Sequence, residues 1–136
     1  MIRSILSVIV GILAGRMTIW LLGIGIHQLY PPPAGLDLQD LEAFRQYVAG
    51  EPTGMMLAVL ASWAGGAFVG GLVAAVLSES RRSWHSLAVG GIQTALAAAQ
   101  FSMIPHPLWF SVLGLTIFLP LAGLAGLVVG REPDSA

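Results

Sequence analysis

The sequence predicts an all-α membrane protein, a four-helix bundle that crosses a bilayer four times. Three observations predict it. Of the 136 residues, 56% are hydrophobic and only 10% are charged, whereas an ordinary soluble domain carries about 25% charged residues. The apolar residues gather in four long runs, and nearly every charge lies between them. Mean hydropathy is +0.82.

The first run is Ile5–Leu29. Arg3 followed by Ile5–Ala14 has the look of a signal peptide. The apolar character resumes after Arg16 and no small-x-small cleavage site follows, so a retained helix is expected. The remaining runs are Met55–Leu77, Leu87–Ile104 and Leu108–Val129. About 20 helical residues cross the hydrocarbon layer, and a lone span satisfies its backbone only as a helix. The third run is the shortest.

The outer segment Tyr30–Gly54 is more than a linker. Pro31, Pro32 and Pro33 stop the first helix and stiffen the exit. Asp37 is placed to cap a short helix, with Asp40 in its first turn. Leu38, Leu41, Phe44 and Val48 make an apolar stripe on it, and Gly50 with Pro52 ends it. Such a helix should lie on the outer leaflet or cover the bundle.

Arg3, Arg81, Arg82 and Arg131 fall on one side of the spans and Arg45 on the other. The positive-inside rule then puts both termini and the loop Ser78–Ser86 in the cytoplasm, with Tyr30–Gly54 and Pro105–Pro107 outside. Tyr30, Trp84 and Trp109 stand near the boundaries, as interfacial aromatics do. All six basic residues are arginine, which with the Ala and Gly richness fits a GC-rich bacterial genome and an inner membrane. The chain also reads as two helical hairpins in tandem. Each turns outside at prolines, and the returning helices carry GGLVAAVL at Gly70–Leu77 and AGLVVG at Ala125–Gly130.

Composition excludes several function classes. The length fits one integral membrane domain spanning residues 1–136. The net charge of −1 gives no attraction to nucleic acid. Without cysteine there are no disulfides, thiolate metal sites or cysteine nucleophiles. No cofactor is expected. GGAFVGG sits inside a span with no Lys-Ser/Thr after it, so it is no phosphate loop. An enzyme is not expected, because Ser62, His27 and His106 are isolated and no buried carboxylate would orient them.

Arg16 is the unusual residue, a charge near the middle of the first span at a cost of roughly 2.5–3.5 kcal/mol on insertion scales. Arg16, Trp20, Gly23 and His27 share one helical face, and Gln93 and Gln100 share one in the third span. An inward-facing polar stripe of Arg16, Gln93, Gln100 and Ser62 is therefore expected. It reads either as hydrogen-bonded glue between helices or as a site for an anion, lipid headgroup or solute. His27, Met55, Met56, Met103 and His106 fall at outer ends. Thioether and imidazole suit Cu(I), but their spacing supports no metal site. Gly11/Gly15, Gly66/Gly70 and Gly126/Gly130 are small-xxx-small pairs, joined by Ala61/Gly65. They predict close helix packing in the cytoplasmic half and more open space outside.

LYPPPAGLDLQDLEAF after the first span, SWAGGAFVGG in the second and MIPHPLW between the third and fourth resemble a family of small, uncharacterised bacterial four-helix inner-membrane proteins. The resemblance covers nearly the whole chain and implies architecture, not activity. Its members often carry an acidic residue one turn before the histidine that precedes the Tyr-Pro segment. Here that histidine is His27 and Gly23 stands a turn earlier, so any carboxylate-dependent activity of the family is not implied for this chain. The expected role is a non-catalytic membrane component, either self-associating or an accessory subunit of a larger complex. The second reading is a small channel or transporter for an anionic or polar solute, using the Arg16 stripe.

Overall fold

The computed structural model describes residues 1–129. Every regular element among them is helical: α1 (Ile2–Leu29), α2 (Leu41–Ala49), α3 (Thr53–Leu77), α4 (Arg82–Met103), α5 (Leu108–Thr116) and α6 (Phe118–Val129). Three stretches are long and apolar enough to cross a membrane, namely α1, α3 and the combined run Leu108–Val129. α4 has 22 residues but is less apolar, since it carries Arg82, His85, Gln93 and Gln100.

α4 begins at Arg82, five residues before the expected Leu87. The predicted loop Ser78–Ser86 shrinks to Ser78–Arg81. Arg81 makes the tight reversal in the left-handed region, with φ of 50°. The polar residues Ser83, His85 and Ser86 hid this first turn from a reading by hydropathy. Ser86 is fully buried and its hydroxyl donates to Gly71 O at 2.8 Å.

The last span is also not one helix. It bends at Ile117, between α5 and α6. Pro120 has no N–H to give the Thr116 carbonyl, and its ring crowds that carbonyl. The Thr116 hydroxyl bonds back to Val112 O at 2.8 Å, a pairing that bends helices.

The outer segment follows the expected plan with a shifted cap. Asp40, not Asp37, is the N-cap of α2, and its carboxylate accepts from Glu42 N at 3.0 Å and Ala43 N at 3.2 Å. Asp37 instead accepts from Gln39 N at 2.9 Å and makes the turn before the helix. That turn leaves Leu38 outside α2 and exposed. α2 covers the end of the bundle. Val48 is buried, Arg45 Nε donates to Met103 O at 2.9 Å, and the Tyr47 hydroxyl points at Met55 Sδ.

The N-terminus, the α3–α4 turn and the end of α6 meet at the opposite end. There Arg3 pairs with Glu79, and Arg82 Nη1 donates to Val129 O at 3.1 Å. α3 is the central helix, packed on α1, α4, α5 and α6. Among the described residues, α1 packs against α3 and α4 alone of the helices, which leaves most of its circumference uncovered by them.

Two kinds of seam hold the helices. Where α1 crosses α3, a Cβ on Gly11 would stand 2.7 Å from Gly70 O, and one on Gly15 would stand 2.6 Å from Gly66 O. α4 crosses α6 in the same way. A Cβ on Gly90 would lie 2.9 Å from the Ala122 Cβ, and one on Gly126 would lie 2.8 Å from the Ser86 hydroxyl. Ser86 and Gly90 thus repeat the roles of Gly11 and Gly15, while Ala122 and Gly126 repeat those of Gly66 and Gly70. Gly130, the expected partner of Gly126, lies outside the described residues.

Farther out the helices are held by rings rather than backbone contacts. Trp63 of α3 meets Phe101, Phe110 and Phe118 at centroid distances of 5.8, 5.5 and 5.6 Å. This corrects the expectation of open space there, because large aromatic side chains fill the gap that glycines would have closed.

Candidate functional site: the outward face of α1

α1 buries Ser7, Gly11, Gly15 and Ile26. At 3.6 residues per turn, Arg16, Trp20 and His27 centre about 140° away from that stripe. All three are exposed, Trp20 at 62%. The glycine stripe decides this orientation, since only that face lets the α1 and α3 backbones touch. The expected inward stripe therefore does not form. Ser62 and Gln93 face in, Gln100 is half-buried, and Arg16, Trp20 and His27 face out.

Arg16 is the fifteenth of the 28 residues of α1, about 21 Å along the axis from either end. It makes no hydrogen bond or ion pair with any described residue. It lines a shallow groove of about 350 Å³ with Leu13, Met17 and Trp20. A second open groove of about 520 Å³ continues from Trp20 past Gly23 and Ile24 to His27 and Gln28. Nothing lies within 4 Å of a Cβ built on Gly23. His27 Nδ1 donates to Gly23 O at 2.7 Å, which leaves its other ring nitrogen free.

Gln93 is the inward polar residue of note. It is 1% exposed, and neither its amide nitrogen nor its amide oxygen has a partner among the described residues. Its Nε2 presses on Gly15, where α1, α3 and α4 converge. Ser62 is satisfied locally, donating to Val59 O at 2.6 Å.

The outer-end candidates have separate surroundings. Met55 and Met56 are buried core side chains, and Met103 is exposed. His106 Nδ1 donates to Ile104 O at 2.7 Å, and its ring stacks on Phe110 at 4.9 Å. Partial burial holds the His106 imidazole below its usual range, against the opposing effect of the Ile104 carbonyl. At the start of α3, desolvation raises the Glu51 carboxyl above the usual range, and the nearby His27 opposes that rise. No cluster of three or more His, Cys, Asp or Glu residues suited to a metal occurs among the described residues.

Sequence reading missed Ser86, Gly90 and Ala122 as seam residues, although Ser86-x₃-Gly90 and Ala122-x₃-Gly126 are small-xxx-small pairs. It also missed Trp63, which nothing in the local pattern distinguishes from the other tryptophans. No protein-family model, curated protein or solved structure matches the chain.

Proposed function

We propose that this chain is a non-catalytic, four-span integral membrane protein that works by docking, as a subunit of a larger membrane assembly. The observation that carries this reading is Arg16, exposed at the midpoint of an apolar helix with no acceptor among the described residues. A guanidinium keeps its charge in any protein environment, and intramembrane charge marks a functional surface by default.

The places where α4 begins and ends support a reading with four crossings. Its first residue bonds to the end of α6, and the carbonyl of its last residue accepts from Arg45 at the far end. It therefore runs the same thickness as the three more apolar stretches, with Ser86 and Gln93 buried inside the bundle. Arg3, Arg81 and Arg82 gather at the end with the N-terminus, and the positive-inside rule makes that end cytoplasmic. The cytoplasmic membrane of a bacterium is the setting that fits, as does the resemblance carried by Tyr30–Pro33 and Ile104–Pro107. A channel within one chain has less support, because the grooves reaching Arg16 lie on the outside of the bundle and aromatic rings fill its outer half.

Native mass spectrometry from mild detergent, on wild type and Arg16→Ala side by side, tests this reading. A defined oligomer or retained partner that the substitution dissolves supports docking. A small anionic adduct lost on substitution favours a binding or transport site instead. A bare monomer in both samples overturns the proposal.

A further inference from the structure

We infer that the face of α1 around Arg16 receives a transmembrane helix of a different protein, one that carries an Asp or Glu at mid-bilayer. The inference rests on the docking reading and specifies the partner's chemistry.

The argument is one of charge and depth. Arg16 lies about 21 Å from either end of α1, and the hydrocarbon half-thickness is about 15 Å. An arginine stem covers only part of that distance, so lipid phosphate is out of reach from the midpoint. A second copy of this chain fails on charge. Its acidic residues are Asp37, Asp40, Glu42, Glu51, Glu79, Glu132 and Asp134; the five among the described residues all lie outside α1 and α3 to α6, and the other two follow Val129 in the sequence. Two copies meeting through α1 would instead bring two guanidinium groups together. A carboxylate at matching depth satisfies the cation and returns its own desolvation cost, with bidentate geometry available.

Shape agrees with charge. The two grooves share Trp20 as a wall and run along one helix from Leu13 to Gln28. Gly23 opens the surface within them. A helix laid along α1 would thus find a cation, an aromatic wall and a gap for a side chain in sequence.

The test is photocrosslinking in the membranes of the host cell. A benzoylphenylalanine replaces Leu13 or Met17, and the crosslinked peptide is sequenced by mass spectrometry. The expected product is a transmembrane segment of another protein with an Asp or Glu within one turn of the crosslink. Its yield should fall about tenfold in Arg16→Leu, the equivalent of a 1.4 kcal/mol loss, and be retained in Arg16→Lys. A partner segment without a carboxylate, or a yield indifferent to Arg16→Leu, overturns the inference. Crosslinking to this chain's own peptides overturns it while leaving docking intact. Crosslinking to lipid alone overturns both.

Discussion

Gly15 and Gly66 face each other backbone to backbone across the α1–α3 seam, so that a Cβ on either would stand within 2.7 Å of the other's carbonyl oxygen. Together with Gly11 and Gly70 they fix which face of α1 is packed and, by elimination, which face carries Arg16. The seam is thus the structural cause of the exposed charge.

Replacing Gly66 by Ala should therefore destabilise the bundle. The added methyl meets the Gly15 carbonyl and the Ile19 side chain, and backbone has little room to yield. The cost should be about 1–3 kcal/mol, the usual range for overpacking. Gly91→Ala is the control, because nothing lies within 4 Å of its Cβ position. It should be neutral or stabilising by roughly 0.5–1 kcal/mol through helix propensity. Thermal unfolding in detergent checks both, and equal effects would show that the seam is not tight.

Gln93→Met should stabilise the protein. The amide is buried with both polar atoms unpartnered among the described residues, and an unsatisfied buried polar group costs about 1–3 kcal/mol. Methionine has similar length and bends easily around Gly15. A gain of about 1 kcal/mol in detergent unfolding is expected. A loss of that size would mean that the amide is bonded in the folded protein.

The helical class and the long apolar runs were legible because uninterrupted hydropathy over about 20 residues is itself the mark of a helix able to cross a membrane. The glycine pairs were legible too, as Gly11, Gly15, Gly66 and Gly70 meet through the seam their spacing predicts. The direction of Arg16 was not. Periodicity shows which residues share a face but not which face turns inward, and the expectation that a charge must face the interior decided wrongly. The glycine stripe outranked it, since close backbone packing admits no side chain. The start of α4 was hidden by polar residues, and the Ile117 bend by uniform hydropathy through Pro120.

Arg81→Gly should stabilise the α3–α4 turn. Arg81 holds φ at 50°, where a residue with a Cβ is penalised by roughly 1–2 kcal/mol and glycine is not. Its side chain makes no hydrogen bond or ion pair with any described residue, while its carbonyl accepts from Trp84 N at 2.9 Å. That backbone bond survives the substitution. A gain of about 1 kcal/mol is expected in unfolding experiments, and a loss would assign the side chain a role at the membrane surface.

His106 should make the outer turn acid-sensitive. Its ring lies against Phe110 and edge-on to Phe101, and partial burial there disfavours the charged form. A depressed folded-state value contributes stability that is present above the ordinary imidazole range, near 6.5. That stability is lost as pH falls through the lower folded value. Wild type should therefore lose thermal stability between pH 7 and pH 5, with faster amide exchange at Ile104–Leu108. His106→Phe keeps the stacking surface but cannot titrate, and it loses the bond to Ile104 O. It should start less stable at pH 7 and show a smaller acid-dependent change, with His27 and His85 still present in both proteins. An undiminished acid response in His106→Phe would assign the effect to another group, but not to Glu51. Its raised carboxyl works in the opposite sense, favouring the folded state as pH falls.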